Sequence, residues 1–304
     1  MIYYNINKKM IAGRLKMSKV IKLKIPDWRA GNRPEYYAGA EIIATLLNDS
    51  QIKTVEVPVI SPDNSDDNSE VNGVNGKNEL VEEIRQVRAT LREEAPDKVI
   101  TVGGNCFVSQ GPFDYLHEKY GDDLGIIWID AHPDISKPEF YNNEHAMVLG
   151  NLLGHGDPIL AKEVHAKFSP KSVLFLGLQP LTDDEPAELD KIGLTYQIQD
   201  ENPITTAAVQ KWIVDNNFSK IAIHFDLDSL SPDDFRLQYF AEPHQTAFPS
   251  SHGKLTLTQV TDYFSSIQKV SDIVGITIAE FLPWDIIKLK QTINTLNLFN
   301  NDKQ

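Results

Sequence analysis

The sequence predicts an α/β fold with a mainly parallel central sheet and helices on both of its faces. Three observations lead there. β-Branched apolar runs alternate with segments of helical spacing from residue 20 almost to the end of the 304-residue chain, the pattern of a wound parallel sheet. Several strand-like runs, such as KVITV at 98–102 and GIIWI at 125–129, are apolar almost without interruption, as strands covered on both faces are. The residues that follow these runs are the reactive ones: Cys106, Asp130, His132, Asp134, Asp226, Asp228 and Glu280. Open parallel sheets bind ligands beyond the carboxyl ends of their strands.

Taken in order, residues 1–17 lack periodicity and read as a disordered extension, with Met17 a second possible start and 18–304 one α/β domain. Residues 20–25 (VIKLKI) make the first strand, and 35–47 carry Tyr36, Ala40, Ile43, Leu46 and Leu47 at helical spacing. Residues 53–60 read as a strand by alternation and β-branching, and 61–78, rich in Asp, Asn, Ser and Gly, as a surface loop. Leu80, Ile84, Val87 and Leu91 line a helix over 79–94. The strand at 98–102 stops at Gly103-Gly104, a pair that permits a tight turn and close backbone approach. Further helices are expected at 113–120, 147–153, 159–168, 183–192, 206–216 with Thr205 as N-cap, 256–270 and 286–299. Further strands are expected at 126–129, 171–176, 194–198, 220–230 and 272–281.

Composition narrows the function classes. The formal net charge is -14, which offers no field to attract nucleic acid or an anionic membrane. It is compatible with binding of cations, whether metals or substrates. The lone Cys106 excludes an internal disulfide, and no apolar run reaches membrane-spanning length or forms a signal peptide. A cytoplasmic protein is the expectation.

Asp130, His132 and Asp134 stand at i, i+2 and i+4 beyond the run 126–129. If the strand continues, all three project from one face. Residues 220–230 (KIAIHFDLDSL) repeat the design, running into Asp226 and Asp228. Four aspartates and a histidine gathered from two strand ends repel one another and raise each other's pKa. One or two divalent cations remove that cost, and a carboxylate-rich set with one imidazole suits Mn2+, Mg2+ or Fe2+ better than a structural zinc. Two ions about 3.5 Å apart bridge a water and lower its pKa toward neutrality. The bland alternative is two polar turns on strands that are not neighbours.

The blocks GGNCF (103–107), IIWIDAHPD (126–134), NNEHAMVLGNLLGHGDP (142–158), IHFDLDSLSP (223–232) and ITIAEFLP (276–283) together resemble the ureohydrolase family, which includes arginase, agmatinase and formimidoylglutamase. DAHxD and FDxD are its specific pair, and the residues around His145 lean toward the bacterial arginase branch. The resemblance implies a three-layer α/β/α fold, a binuclear manganese site, and hydrolysis of a linear guanidino or amidino C–N bond with release of urea or ammonia. It puts Asp130, His132, Asp134, Asp226 and Asp228 on metal-ligand positions, with Asp130 and Asp226 bridging the ions. His145 falls on the active-site histidine, a proton shuttle, and Glu280 on the carboxylate that faces a small cationic guanidino substrate. In the implied mechanism a metal-bound hydroxide attacks the guanidinium carbon, and Asp134 passes a proton to the leaving amine. The family also implies a homo-oligomer, a trimer or a hexamer.

Two departures from that family stand out. Where it has Gly-Gly-Asp-His, this chain has Gly103-Gly104-Asn105-Cys106, so Cys106 replaces the histidine of the first metal. Three readings follow. Cys106 binds a softer metal such as Zn2+ or Fe2+; or the first site is weak or empty, leaving Asp130, His132, Asp226 and Asp228 around one ion; or Cys106 is a buried bystander in a divergent, non-catalytic member. The second departure lies beyond Asp134. Groups that hold the amino-acid end of arginine are replaced by Ser136 and by Tyr141-Asn142-Asn143-Glu144, while Thr182-Asp183-Asp184-Glu185 aligns loosely with the acidic block for the α-amino group. Glu144, pointing inward, would repel an α-carboxylate, which counts against arginine itself.

Overall fold

The structure, a computed structural model, describes residues 18–47, 49–65 and 67–295. The expected extension at 1–17 and the last residues of the expected helix 286–299 lie outside them. The strands are β1 (Val20–Ile25), β2 (Lys53–Glu56), β3 (Glu70–Val71), β4 (Val74–Asn75), β5 (Lys98–Gly103), β6 (Leu124–Ile129), β7 (Val173–Leu176), β8 (Lys220–Asp226) and β9 (Asp272–Ala279). The helices are α1 (Glu35–Leu46), α2 (Lys77–Glu94), α3 (Gln110–Tyr120), α4 (Val148–Leu153), α5 (Glu185–Ile192), α6 (Thr206–Asp215), α7 (Leu257–Ile267) and α8 (Trp284–Ile293). β3 and β4 pair as a small hairpin, and the others form one seven-stranded parallel sheet in the order β2-β1-β5-β9-β8-β6-β7.

The period-two alternation of the strands decides what each face meets. Ile126 and Trp128 of β6 pack with α2 to α5 residues such as Leu80, Phe113, Leu149 and Leu189. Ile127 and Ile129, one residue out of phase, pack with Ile43 of α1, Val209 and Ile213 of α6, and Val260 of α7. Each such side chain, fully buried, contributes about 1.5–3 kcal/mol of burial free energy. The result is the three-layer α/β/α arrangement.

Local signals set several boundaries. Thr205 caps α6 by accepting from the Ala208 N–H, as expected, and Thr256 with Gln259 forms a capping box on α7. The strand expected at 53–60 pairs only to Glu56, because Pro58 removes a ladder donor. The strand expected at 194–198 forms no ladder, and 159–168 yields one 3-10 turn, Leu160–Glu163, in place of a helix. The loop 61–78 contains the β3–β4 hairpin and the start of α2. Among the described residues, no helix is long and apolar enough to cross a membrane.

Four adjacent strands at the sheet centre carry the reactive residues. Register pairs Val102 with Ile278, Asp226 with Ala279, and Phe225 with Ile129, so the carboxyl ends of β5, β9, β8 and β6 lie level. Gly104 closes the seam. It donates to Ile25 O, its carbonyl accepts the Glu280 N–H at 3.0 Å, and a Cβ there would lie 1.7 Å from Asp27 O.

Candidate metal centre and active site

Two neighbouring strands end in the same way. Asp130 Oδ1 accepts the His132 N–H at 2.7 Å, and Asp226 Oδ1 accepts the Asp228 N–H at 2.7 Å. Each aspartate thus caps the turn that carries the next acidic or imidazole group. Here the structure corrects the expectation of one continuing strand face. The ladder ends at Ile129, Pro133 has no N–H to extend it, and Asp134 takes a left-handed φ of 49°. The three residues converge through a turn.

The convergence is tight. Asp130, His132 and Asp228 present ligand atoms within 4.8 Å of one another, and so do Asp226, Asp228 and Glu280. His132 Nδ1 lies 3.2 Å from Asp228 Oδ2 and 3.5 Å from Asp130 Oδ1. Cys106 opens a 3-10 turn whose N-cap is Asn105; Asn105 accepts from Phe107 N and donates to Asp27 Oδ2 at 2.8 Å. That anchoring sets the Cys106 thiol to donate to Asp226 Oδ2 at 2.8 Å, with Glu280 Oε1 at 3.7 Å. Glu280 takes a left-handed φ of 65°, and its Oε1 lies 2.9 Å from His145 Nδ1. Strained non-glycine backbone of this kind concentrates at functional sites.

A further group, Cys106, Asp130, Asp134 and His224, also gathers its ligand atoms within 4.8 Å. His224 is absent from the sequence-derived set. A signal for it exists: His224, Asp226 and Asp228 repeat the i, i+2, i+4 spacing of Asp130, His132 and Asp134.

The electrostatics are those of crowded buried carboxylates. Burial, then Asp228, Glu280 and Asp130, pushes the Asp226 carboxyl well above the usual range, and burial and Asp130 do the same to Asp134. Asp228 is pushed up to about 6, chiefly by burial. Burial, with Asp134 and Asp226 beside it, pushes the Cys106 thiol well up. Asp130 goes the other way. Burial opposes its charge, but the His132 and His224 imidazoles beside it hold it below the ordinary value. A divalent cation inverts this logic by favouring every ionised form.

The donor set fits such a cation. Buried polar atoms are normally partnered, yet His132 Nε2, Asp134 Oδ2, His224 Nε2 and Asp228 Oδ1 are buried without a hydrogen bond. Asp130, His132, Asp226 and Asp228 offer the oxygen-rich set that hard and borderline ions take.

Above these groups opens a cavity of about 380 Å³ lined by Glu280, His145, Asp184, Glu185, Ser136 and Tyr141, with Tyr239 and Phe240 among its aromatic walls. Arg33 also lines it, but its charge is engaged by Glu242 at 3.3 Å and it stacks over Tyr239 at 4.7 Å. The cavity therefore favours cations. Glu144 does not line it. The side chain is fully buried, and its Oε1 accepts from Asn151 Nδ2, so the expected repulsion of an α-carboxylate is removed.

Comparison with known proteins bears on this geometry. The model of the arginase family matches residues 48–292. The arginase of Entamoeba histolytica is 24% identical over 231 residues, covering 71% of this chain and 73% of that one. Among solved structures, E. histolytica arginase in complex with L-ornithine superposes with a TM-score of 0.70 at 20% identity, covering 88% of this chain and 91% of that one. A putative agmatinase from Clostridium difficile gives a TM-score of 0.60 at 19% identity, covering 91% and 92%. Matched over most of its length, the chain belongs to the arginase family, the ureohydrolase-type hydrolases of C–N bonds.

Proposed function

We propose that this protein hydrolyses a C–N bond of a small, linear guanidino or amidino cation, using two divalent ions held by Asp130, His132, Asp134, Asp226 and Asp228. The observation that carries the reading is the convergence of these groups, with donor atoms left unpartnered, beneath an acidic cavity. When bound, the ions neutralise the carboxylates and supply a water activated near neutral pH. The chain's own residues do the rest. Glu280 accepts N–H donors from the planar cation in charge-assisted hydrogen bonds. His145, with Nδ1 engaged by Glu280, offers Nε2 for proton exchange with the leaving amine. Asp134 receives the proton released by the nucleophile and passes it on. Tyr239 and Phe240 give the apolar wall along which a methylene chain lies.

The test is release of urea or ammonia from arginine, agmatine, guanidino acids and formimino compounds after loading with Mn2+, Zn2+, Fe2+ or Co2+. Turnover of one member supports the reading, and no turnover on any with any metal overturns it. The buried position of Glu144 keeps arginine in the panel.

A second reading, a non-catalytic member with an impaired first site, is favoured by one contact, the Cys106 thiol donated to Asp226 Oδ2. Elemental analysis giving about two ions per purified chain, the content of a two-metal hydrolase, rules it out.

A further inference from the structure

His224 is fully buried in the middle of the sheet. A buried imidazole normally satisfies both nitrogens. Here Nδ1 lies 2.8 Å from Ser109 Oγ, while Nε2 has no hydrogen-bond partner and sits 3.4 Å from Asp130 Oδ2. The ring cannot turn away, because it stacks on Trp128 at 3.8 Å and 15°. Trp128 in turn donates from Nε1 to Asp130 Oδ2 at 3.2 Å. A second buried atom, Asp134 Oδ2, is also without a partner in the same group.

We propose that His224 is a metal ligand, and that with Cys106, Asp130 and Asp134 it forms a first metal site of sulfur, nitrogen and oxygen donors that selects zinc-like ions over Mn2+. The four ligand atoms lie within 4.8 Å of one another. Donors around a tetrahedral zinc stand roughly 3.3–3.8 Å apart, so the group closes onto an ion with small side-chain movements. Ser109 Oγ stands where it can accept an Nδ1–H, the tautomer that would present the Nε2 lone pair, as an outer hydrogen bond does for ligating histidines. A thiolate and an imidazole move the site away from Mn2+, the weakest binder of the divalent series, toward Fe2+, Co2+ and Zn2+. The imidazole that the resemblance leaves missing at Cys106 is thereby supplied from β8. Asp226, Asp228 and His132 keep an oxygen-rich second site. The inference rests on the metal-dependent reading above but is tested by metal binding without substrate.

The test loads metal-free protein with Co2+ and Zn2+. Wild type is expected to show a thiolate-to-cobalt charge-transfer band and strong visible bands of four-coordinate Co2+. Cys106→Ser is expected to lose the charge-transfer band. His224→Gln is expected to weaken first-site binding at least about tenfold, with the other site unchanged, and Ser109→Ala to weaken it severalfold. If His224→Gln fails to fold, X-ray absorption of wild type with two zinc equivalents decides the point. About half a sulfur and about one imidazole per zinc supports the site. Half that imidazole count, or Co2+ bound without a thiolate band, overturns it. A substrate panel without turnover, beside an intact thiolate band, overturns the hydrolase reading and leaves this site standing.

Discussion

The Cys106 thiol donates to Asp226 Oδ2 at 2.8 Å, joining the turn after β5 to the end of β8 across the strand between them. That contact links the chain's main departure from its family to the centre of its carboxylate cluster. Cys106→His should exchange the soft donor for one that Mn2+ accepts. Manganese content after loading should rise toward about two ions per chain, read by elemental analysis, and Mn2+-supported turnover should rise with it. If metal content is already near two and neither quantity changes, Cys106 is not what tunes the first site.

Asp228 and His132 make the ion-free protein sensitive to pH. Burial pushes the Asp228 carboxyl up to about 6 from 3.8. A carboxyl raised in the fold stabilises it fully below its unfolded pKa, and that contribution is lost as pH rises through the folded value. For Asp228 the window runs from about pH 4 to 6 and spans roughly 3 kcal/mol. Burial works against the His132 charge, but Asp228 and Asp130 carry its pKa well above 6.5, so its share is lost only at higher pH. Thermal melts without metal should therefore fall between pH 4 and 7 more steeply for wild type than for Asp228→Asn. Added metal should restore most at the high end, where protons compete least. Parallel slopes for the two proteins would contradict this.

Glu280 and His145 are coupled at 2.9 Å, yet their substitutions should separate kinetically. Glu280→Gln removes the carboxylate charge that we propose faces a substrate cation and should lower kcat/KM by about a hundredfold, mostly through KM. His145→Asn should lower kcat by about a hundredfold with KM little changed. Steady-state kinetics on whichever compound turns over reads both. An equal split for the two variants would mean that they act as one unit.

Glu144 offers a control. It is as buried as the aspartates of the cluster, and its carboxyl is pushed well up by burial and then by Asp157. It therefore serves the packing against α4, through its contact with Asn151. Glu144→Gln should leave kcat/KM within about twofold and stability within about 1 kcal/mol. Glu144→Ala opens a cavity and leaves Asn151 Nδ2 with Gln110 as its remaining acceptor, at a cost of about 2–4 kcal/mol. Denaturant melts beside turnover would reveal a direct role if activity fell while stability held.

Much of the fold was legible because burial on both faces writes itself as uninterrupted apolar runs. β5, β6, β8 and β9 all fell where VITV, IIWI, IAIHF and IVGITIA stand. The misses were segments whose pairing depends on neighbours. Residues 194–198 have strand composition but make no ladder. The hairpin at Glu70–Val71 and Val74–Asn75 hides in a polar loop, tied down by Asn75, whose N–H donates to Asn142 O and whose side chain reaches Asn143.

The sequence by itself determined that carboxylates and imidazoles would stand at strand ends, since period two and the parallel pattern dictate both facts. It also carried the substitution at Cys106. Tertiary structure decided which of these groups meet. Strand order brings β5, β9, β8 and β6 side by side, and turns capped by Asp130 and Asp226 redirect the side chains that a straight strand would have left apart. The same packing turned Glu144 away from the cavity and left His224 Nε2 unpartnered beside Asp130. Those outcomes follow from contacts between segments distant in the chain, which local periodicity does not encode.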